Sequence, residues 1–153
     1  MLIRFHVWAL FAFCAALTFP AQSKDPQKGL PSITLSAGGQ SIRADVAATE
    51  PTREKGLMFR EKMGRNEGML FVFNYTGYHA MWMRNTPLAL SVAFMDETGK
   101  IVSIHEMDPF NDAVHQATGP ARYALEMNKG WFAANKVKAG DAIKGLDKAP
   151  KPQ

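Results

Sequence analysis

A succession of short apolar runs separated by turn residues limits what this chain can fold into. SITLS (32–36) and SIRADVAA (41–48) flank Gly38 and Gly39, which tolerate the positive φ angles of a tight hairpin turn. GMLFVF (68–73) has the length and the aromatic and β-branched content of a buried strand. Five further runs are strand candidates: 80–84, 90–96, 100–106, 122–127 and 141–146. Runs of this length favour strands over helices.

Two stretches are predicted to be helical. In residues 49–59, Thr49 can cap the first amide groups, and Pro51 lies in the first turn, where its missing N–H costs nothing. NKGWFAAN (128–135) predicts a short helix or a wide turn. Roughly eight short strands with one or two short helices predict a mainly β fold, a single-domain β-sandwich or jelly-roll-like barrel.

The first residues have the pattern of a signal peptide. Arg4 is followed by an apolar run from Val7 to Phe19, which is shorter than the roughly 20 residues of a membrane-spanning helix. We therefore predict a cleaved signal peptide over 1–23, periplasmic or secreted location, and no stable membrane span after cleavage, with a retained anchor as the alternative. A flexible leader (24–31), a β domain (32–146) and a flexible tail (147–153) follow.

Cysteine usage and charge exclude several functional classes. Cys14 is the only cysteine and lies in the predicted signal peptide, so the mature chain is cysteine-free and has no disulfide framework or thiol nucleophile. The formal net charge is +4, and removing Arg4 with the signal peptide leaves +3. The basic residues are scattered without interleaved aromatics, so no nucleic-acid partner is expected.

Charged residues within apolar patterns are the first functional candidates. Arg84 and Glu126 fall in or at the end of predicted strands, and a charge in such a place is seldom buried without a partner. One interpretation is a structural Arg84–Glu126 ion pair. The other is a pocket in which these residues, with Arg53, Arg60 and Asn85, hold a small anionic ligand, since guanidinium groups suit carboxylates and phosphates. A protein partner is a further alternative.

A second hypothesis concerns YHAMWMRNT (78–86). In a strand, His79, Met81 and Met83 would share one face and could bind Cu(I) or Ag(I), which prefer imidazole and thioether ligands. Core packing by methionine is the alternative, and repeated Met-x-x-Met motifs are missing. A periplasmic Cu(I)- or Ag(I)-handling protein is therefore an alternative function, and otherwise no cofactor is expected.

A third hypothesis concerns HEMDPFNDAVH (105–115). A hydrolase could use His105, Asp108 and His115 if they converge in a cleft, although Asp108-Pro109 is also typical of a simple turn. The chain has neither a Gly-x-Ser-x-Gly turn nor a His-Glu-x-x-His motif. No catalytic residue is predicted, and the balance favours a binding module over an enzyme.

Six blocks in order resemble the family known as domain of unknown function 192: REKGLMFR (53–60), GMLFVF (68–73), MWMRNT (81–86), DETGKIVSI (96–104), YALEMNKGWF (123–132) and AGDAI (139–143). The resemblance implies a compact β-rich domain, often exported, with no established activity or cofactor. Two positions depart from the family pattern: Met81 stands where an aromatic is usual, and Ser91 where many members have Asp. The predicted function is a non-enzymatic small-ligand or partner-binding module. Its candidate binding residues are Arg53, Met58, Arg60, Trp82, Arg84, Asn85, Thr86 and Glu126.

Overall fold

The structure, a computed structural model, describes residues 24–153, so the predicted signal peptide lies outside the described residues. Eight strands, two short α-helices and one 3₁₀ turn follow in order. They are β1 (Ser32–Ala37), β2 (Gln40–Ala47), α1 (Glu50–Lys55), β3 (Glu67–Gly77), β4 (Ala80–Met81), β5 (Leu90–Met95), β6 (Ile101–Met107), β7 (His115–Gln116), β8 (Ala121–Asn128), α2 (Trp131–Ala134) and the 3₁₀ turn Leu146–Lys148.

Six strands form one mixed sheet in the order β1-β2-β3-β8-β5-β6, and β4 and β7 form a second, two-stranded sheet. All neighbours in the large sheet are antiparallel except β2 and β3, which are parallel. The helix α1 lies in the connection between these two parallel strands. The mainly β, sandwich-like single domain is confirmed, although the large sheet does not close into a barrel.

The large sheet buries apolar side chains on both faces, because neighbouring residues of a strand point to opposite sides. One face carries Leu70 and Leu125 and packs against Trp131 and Phe132 of α2. The other carries Met69, Phe71, Val92 and Phe94 and is covered by Leu57 and Met83. All six residues of β5 are buried, as expected for a strand covered on both sides.

Local sequence rules account for the first hairpin and for α1. Gly38 and Gly39 have φ angles of 57° and 75°, as a two-residue turn with positive φ at both positions requires. Thr49 caps α1: its hydroxyl accepts from the Thr52 amide while its own amide donates to the Thr52 hydroxyl. Pro51 lies in the first turn of the helix, as predicted.

Two predicted strands are wrong in extent or kind. The run 80–84 forms a strand only at Ala80–Met81, because its partner β7 is also two residues long and the chain then turns at Asn85, with φ of 53°. The run 141–146 forms isolated bridges instead of a strand, pairing Ala142 with Lys100 and Lys144 with Ser36. This short segment is hydrogen-bonded to both β1 and the start of β6.

None of the helices in residues 24–153 has the length and apolar character needed to cross a membrane.

Candidate functional site

A cavity of about 210 Å³ opens between the end of α1, strand β3 and the segment 80–86. Its walls are mainly apolar or aromatic, and charged side chains reach it from α1, from residue 84 and from β8. The lining residues are Arg53, Glu54, Lys55, Gly56, Leu57, Met58, Phe71, Phe73, Ala80, Met81, Trp82, Arg84, Thr86 and Glu126. An enclosed apolar surface with a few polar groups is the usual form of a small-molecule site.

Backbone turns place the two outer walls of this cavity. Gly56 ends α1 with φ of 48° and ψ of −135°, a conformation that strongly favours glycine, and turns the chain so that Leu57 and Met58 line the cavity. Phe59 has a positive φ of 63°, and its amide donates to the carbonyl of Asn85 at 2.8 Å. That hydrogen bond joins the wall after α1 to the wall formed by residues 80–86.

Glu126 supplies a carboxyl group at the inner end of the cavity. It lies in β8, between Met69 of β3 and Val92 of β5, and is only 3% exposed. Among the described residues, no hydrogen-bond donor or charged neighbour contributes to the pKa of this carboxyl, and burial is the cause of its shift. Burial raises its pKa to about 8. At neutral pH the carboxyl is therefore protonated and can donate a hydrogen bond into the cavity.

Arg84 and Trp82 lie together at the mouth of the cavity. The guanidinium of Arg84 lies 5.0 Å from the centre of the Trp82 ring, and its Nε donates to Asp112 at 3.3 Å. The Arg84 and Asp112 side chains are 55% and 66% exposed, so water screens this ion pair and it contributes little to stability. Trp82 is 49% exposed, which leaves a large aromatic face at the opening.

Arg53 is held by the backbone. Its Nη1 donates to the carbonyl of Ala48 at 2.7 Å and to that of Val72 at 3.0 Å, and Nη2 donates to the carbonyl of Gln153 at 3.4 Å. These bonds tie α1 to the residue after β2 and to the middle of β3. Although Arg53 lines the cavity, its main contacts are therefore structural.

The predicted binding residues separate into two groups. Six of them line the cavity: Arg53, Met58, Trp82, Arg84, Thr86 and Glu126. Arg60 does not, because its Nη2 donates to Asp45 at 2.8 Å. Asn85 also lies outside the lining, and its side-chain amide contacts the sulfur of Met58 at 3.9 Å. The suggested Arg84–Glu126 ion pair is wrong, since Arg84 pairs with Asp112 instead.

The sequence interpretation missed the aromatic wall of the cavity, to which Phe71 and Phe73 contribute. Phe71 and Phe73 are two residues apart in β3 and therefore lie on one face of the strand, which the alternation in GMLFVF already indicates. No local signal indicates that this face borders a cavity instead of a filled core.

His79, Met81 and Met83 do not line a common opening. The His79 ring stacks on Phe73 at 3.7 Å between centroids, and its Nε2 is 2.9 Å from the carbonyl oxygen of Tyr75. Met81 lines the cavity, whereas Met83 is fully buried in the core. The shared face assumed for these residues requires a strand through residue 83, and the strand ends at Met81. Copper binding by this set stays a prediction.

The three candidate residues of the 105–115 loop are only partly brought together. The ring centroids of His105 and His115 are 6.0 Å apart. Asp108 instead pairs with Lys129, and a hydrogen bond from the lysine lowers the pKa of the aspartate. Within residues 24–153, no group of three or more His, Asp or Glu side chains is arranged to hold a metal ion. Hydrolase activity of this loop stays a prediction.

Comparison with known proteins gives a family and two similar crystal structures. One is of a protein from Sinorhizobium meliloti 1021 proposed to be a transcription regulator. It is 32% identical, with a TM-score of 0.72, and the match covers 78% of this chain and 98% of that chain. The other is of a protein of unknown function from Novosphingobium aromaticivorans DSM 12444. It is 30% identical, with a TM-score of 0.73, and the match covers 82% of this chain and 93% of that one.

No curated protein matches this chain. The sequence model of DUF192, whose members are described as uncharacterized ACR proteins, matches residues 33–145. That range includes every strand of both sheets except the first residue of β1, together with the whole lining of the cavity. The chain therefore belongs to the DUF192 family.

Proposed function

We propose that this chain is a non-enzymatic binding module that holds a small molecule in the cavity beside Glu126. The ligand class is a molecule with an apolar body and one hydrogen-bond acceptor, such as a carbonyl or carboxylate oxygen. The observation that carries the proposal is the buried Glu126 carboxyl, which has no partner among the described residues. Because burial keeps this carboxyl neutral, it can donate a hydrogen bond to an acceptor held in the cavity.

The rest of the lining supports the same class of ligand. Leu57, Phe71 and Phe73 offer apolar contact to the body of the molecule. Arg84 at the mouth forms its ion pair with the exposed Asp112, so an anionic group on the outer end of the ligand can compete for its guanidinium. The proposal therefore includes small anionic molecules with an apolar body.

We also propose that the protein acts in the periplasm or outside the cell, on the basis of the signal-peptide pattern in residues 1–23. The test is N-terminal sequencing of the protein from a fractionated native host. A mature chain that begins near Lys24 in the exported fraction supports the proposal. A full-length chain in the cytoplasmic fraction contradicts it.

A matched series of six-carbon probes tests the binding site. Hexanoate, hexanamide, 1-hexanol and hexylamine share one apolar body and differ only in the polar group. Protein labelled with ¹³C at the methionine methyls reports where they bind, because Met58 and Met81 line the cavity while Met95 and Met127 lie in the core on the other face of the sheet. For probes of this size we expect a Kd of about 1 mM.

The expected result is a saturable shift of the Met58 and Met81 signals with hexanamide and hexanoate, with Met95 and Met127 unchanged. Glu126→Gln should retain hexanamide binding, because the amide both donates and accepts, whereas Glu126→Leu should lose the preference for hexanamide over 1-hexanol. Equal shifts at all four methionines, or none at Met58 and Met81, would contradict the proposal.

A further inference from the structure

Two histidines outside the cavity share an unusual property. The Nε2 atoms of His105 and His115 are buried, and neither has a hydrogen-bond partner in residues 24–153. A buried ring nitrogen normally bonds to protein or to an ordered group, so two neighbouring unpartnered nitrogens need an explanation. The two rings come from different sheets: His105 from β6 of the large sheet and His115 from β7 of the small one.

The separation of the rings fits a shared metal ion. Their centroids are 6.0 Å apart and their planes are inclined by 56°. An ion bonded to both Nε2 atoms at about 2 Å would hold the centroids roughly 5 to 6.5 Å apart, with the longer values for an open, nearly linear arrangement. The observed distance of 6.0 Å lies near the upper end of that range. It therefore suits a metal ion with few ligands and a wide N–metal–N angle.

The backbone fixes the tautomer of His105, because its ring forms a hydrogen bond with the backbone of Gln116. Because Nε2 has no partner, that hydrogen bond involves Nδ1. A proton fixed on Nδ1 leaves the lone pair on Nε2, which is the tautomer that binds a metal.

Met81 places a third donor on the same face of the β4–β7 pair as His115. It lies directly opposite His115 in the antiparallel pairing of β4 with β7. Directly opposed residues of such a pair point to the same face, with Cβ atoms about 5 Å apart. Two imidazoles and one thioether are a soft ligand set, and no carboxylate group in residues 24–153 joins the two histidines in a cluster.

We propose that His105, His115 and Met81 form a binding site for a single soft monovalent cation, Cu(I) or Ag(I). The ligands are the two Nε2 atoms and the Met81 sulfur. The site differs from the one predicted around His79 and Met83, and it shares Met81 with the lining of the cavity beside Glu126.

Titration with Ag(I), which is stable in air, tests the site on the intact protein. We expect one equivalent to bind and to shift the ¹⁵N resonances of the His105 and His115 Nε2 atoms by tens of parts per million, with the His79 ring unchanged. This measurement needs no substitution, so it does not depend on a variant folding. Shifts at His79 in place of His105 and His115, or no saturable shift at either of them, overturn the proposal.

Variants then assign the ligands. His105→Gln and His115→Gln should each weaken Ag(I) binding at least tenfold, and Met81→Leu should weaken it several-fold. The matched controls His79→Gln and Met83→Leu should bind as the wild type does. Glu126→Gln should also bind Ag(I) normally, because Glu126 is not among the proposed ligands of the ion. Unchanged affinity in the folded His105→Gln and His115→Gln variants, shown by near-ultraviolet circular dichroism, overturns the proposal.

Discussion

Glu126 lies directly opposite Met69 in the antiparallel pairing of β8 with β3, so an ionisable group occupies the middle of the sheet among apolar neighbours. Burial raises its pKa from 4.5 to about 8. Between pH 4.5 and about 8, Glu126 is therefore protonated in the folded protein and ionised in the unfolded chain. Its contribution to stability is complete below pH 4.5 and is lost as the pH rises towards 8.

We predict that Glu126→Gln removes this pH dependence. Over the interval between the two pKa values, the wild type should lose about 1.4 kcal/mol of unfolding free energy per pH unit relative to the variant. Urea denaturation of both proteins at several pH values measures the difference, and other titrating groups cancel in the comparison. Parallel curves for the two proteins would show that the carboxyl is not buried in its neutral form.

The pH dependence of binding should have opposite signs for an anionic and a cationic probe. Hexanoate should bind less tightly as the pH rises through about 8, because ionised Glu126 repels the carboxylate. Hexylamine should bind more tightly over the same interval, because the ammonium group then meets a carboxylate. Hexanamide is the neutral control. Chemical-shift titrations at several pH values give the Kd of each probe, and identical trends for the three would place their polar groups away from Glu126.

Arg53→Leu should destabilise the fold. The substitution removes the donors to the carbonyls of Ala48 and Val72 and leaves these acceptors without that partner, at a cost of about 1–3 kcal/mol. Arg43→Leu is the matched control, because Arg43 is 63% exposed and makes only long ion pairs. Urea denaturation compares the two variants. Equal losses of unfolding free energy in the two variants would mean that the Arg53 hydrogen bonds contribute no more to stability than an exposed arginine does.

Arg60→Met should lower stability without affecting the cavity. Its 2.8 Å ion pair with Asp45 is only partly exposed, so we expect a loss of about 1 kcal/mol. Hexanamide should bind the variant with unchanged affinity, because Arg60 does not line the cavity. Trp82→Ala is the contrasting variant, which should weaken hexanamide binding. A weaker Kd in Arg60→Met would return Arg60 to the set of binding residues.

Gly56→Ala should affect both stability and binding. The φ of 48° and ψ of −135° disfavour any residue with a Cβ, and that Cβ would lie 3.4 Å from the Phe71 ring in the cavity wall. We expect a loss of about 1–3 kcal/mol and weaker hexanamide binding. Gly140→Ala is the control that separates backbone strain from contact with the cavity wall. Gly140 also has a positive φ, but a Cβ added there meets open space. Thermal unfolding and methionine shifts measure the two effects.

Local chemistry explains which features could be predicted from the sequence. The turn at Gly38 and Gly39 and the cap at Thr49 depend on residues a few positions apart, and both are present. The partner of Arg84 is Asp112, 28 positions away, and no local rule indicates it. Six of the predicted binding residues line the cavity. Its aromatic wall, in contrast, depends on how β3 faces the segment 80–86.

The same distinction applies to the residues predicted to bind a soft metal ion. Alternation along a strand placed His79, Met81 and Met83 on one face, and that rule holds only while the strand continues. Pairing stops at Met81 because β7 offers only two residues. The pairing of Met81 with His115 joins segments more than thirty positions apart in the sequence, so periodicity alone does not reveal it.

The segment 140–144 protects the large sheet from adding further strands. Exposed edge strands offer unpaired amide and carbonyl groups to other chains and promote aggregation. Here Lys144 exchanges two hydrogen bonds with Ser36 of β1, while Asp141 accepts one from Ile101 of β6. One short stretch thus covers part of both opposite edges, and a truncation before residue 140 would expose both at once and favour self-association of the shortened chain.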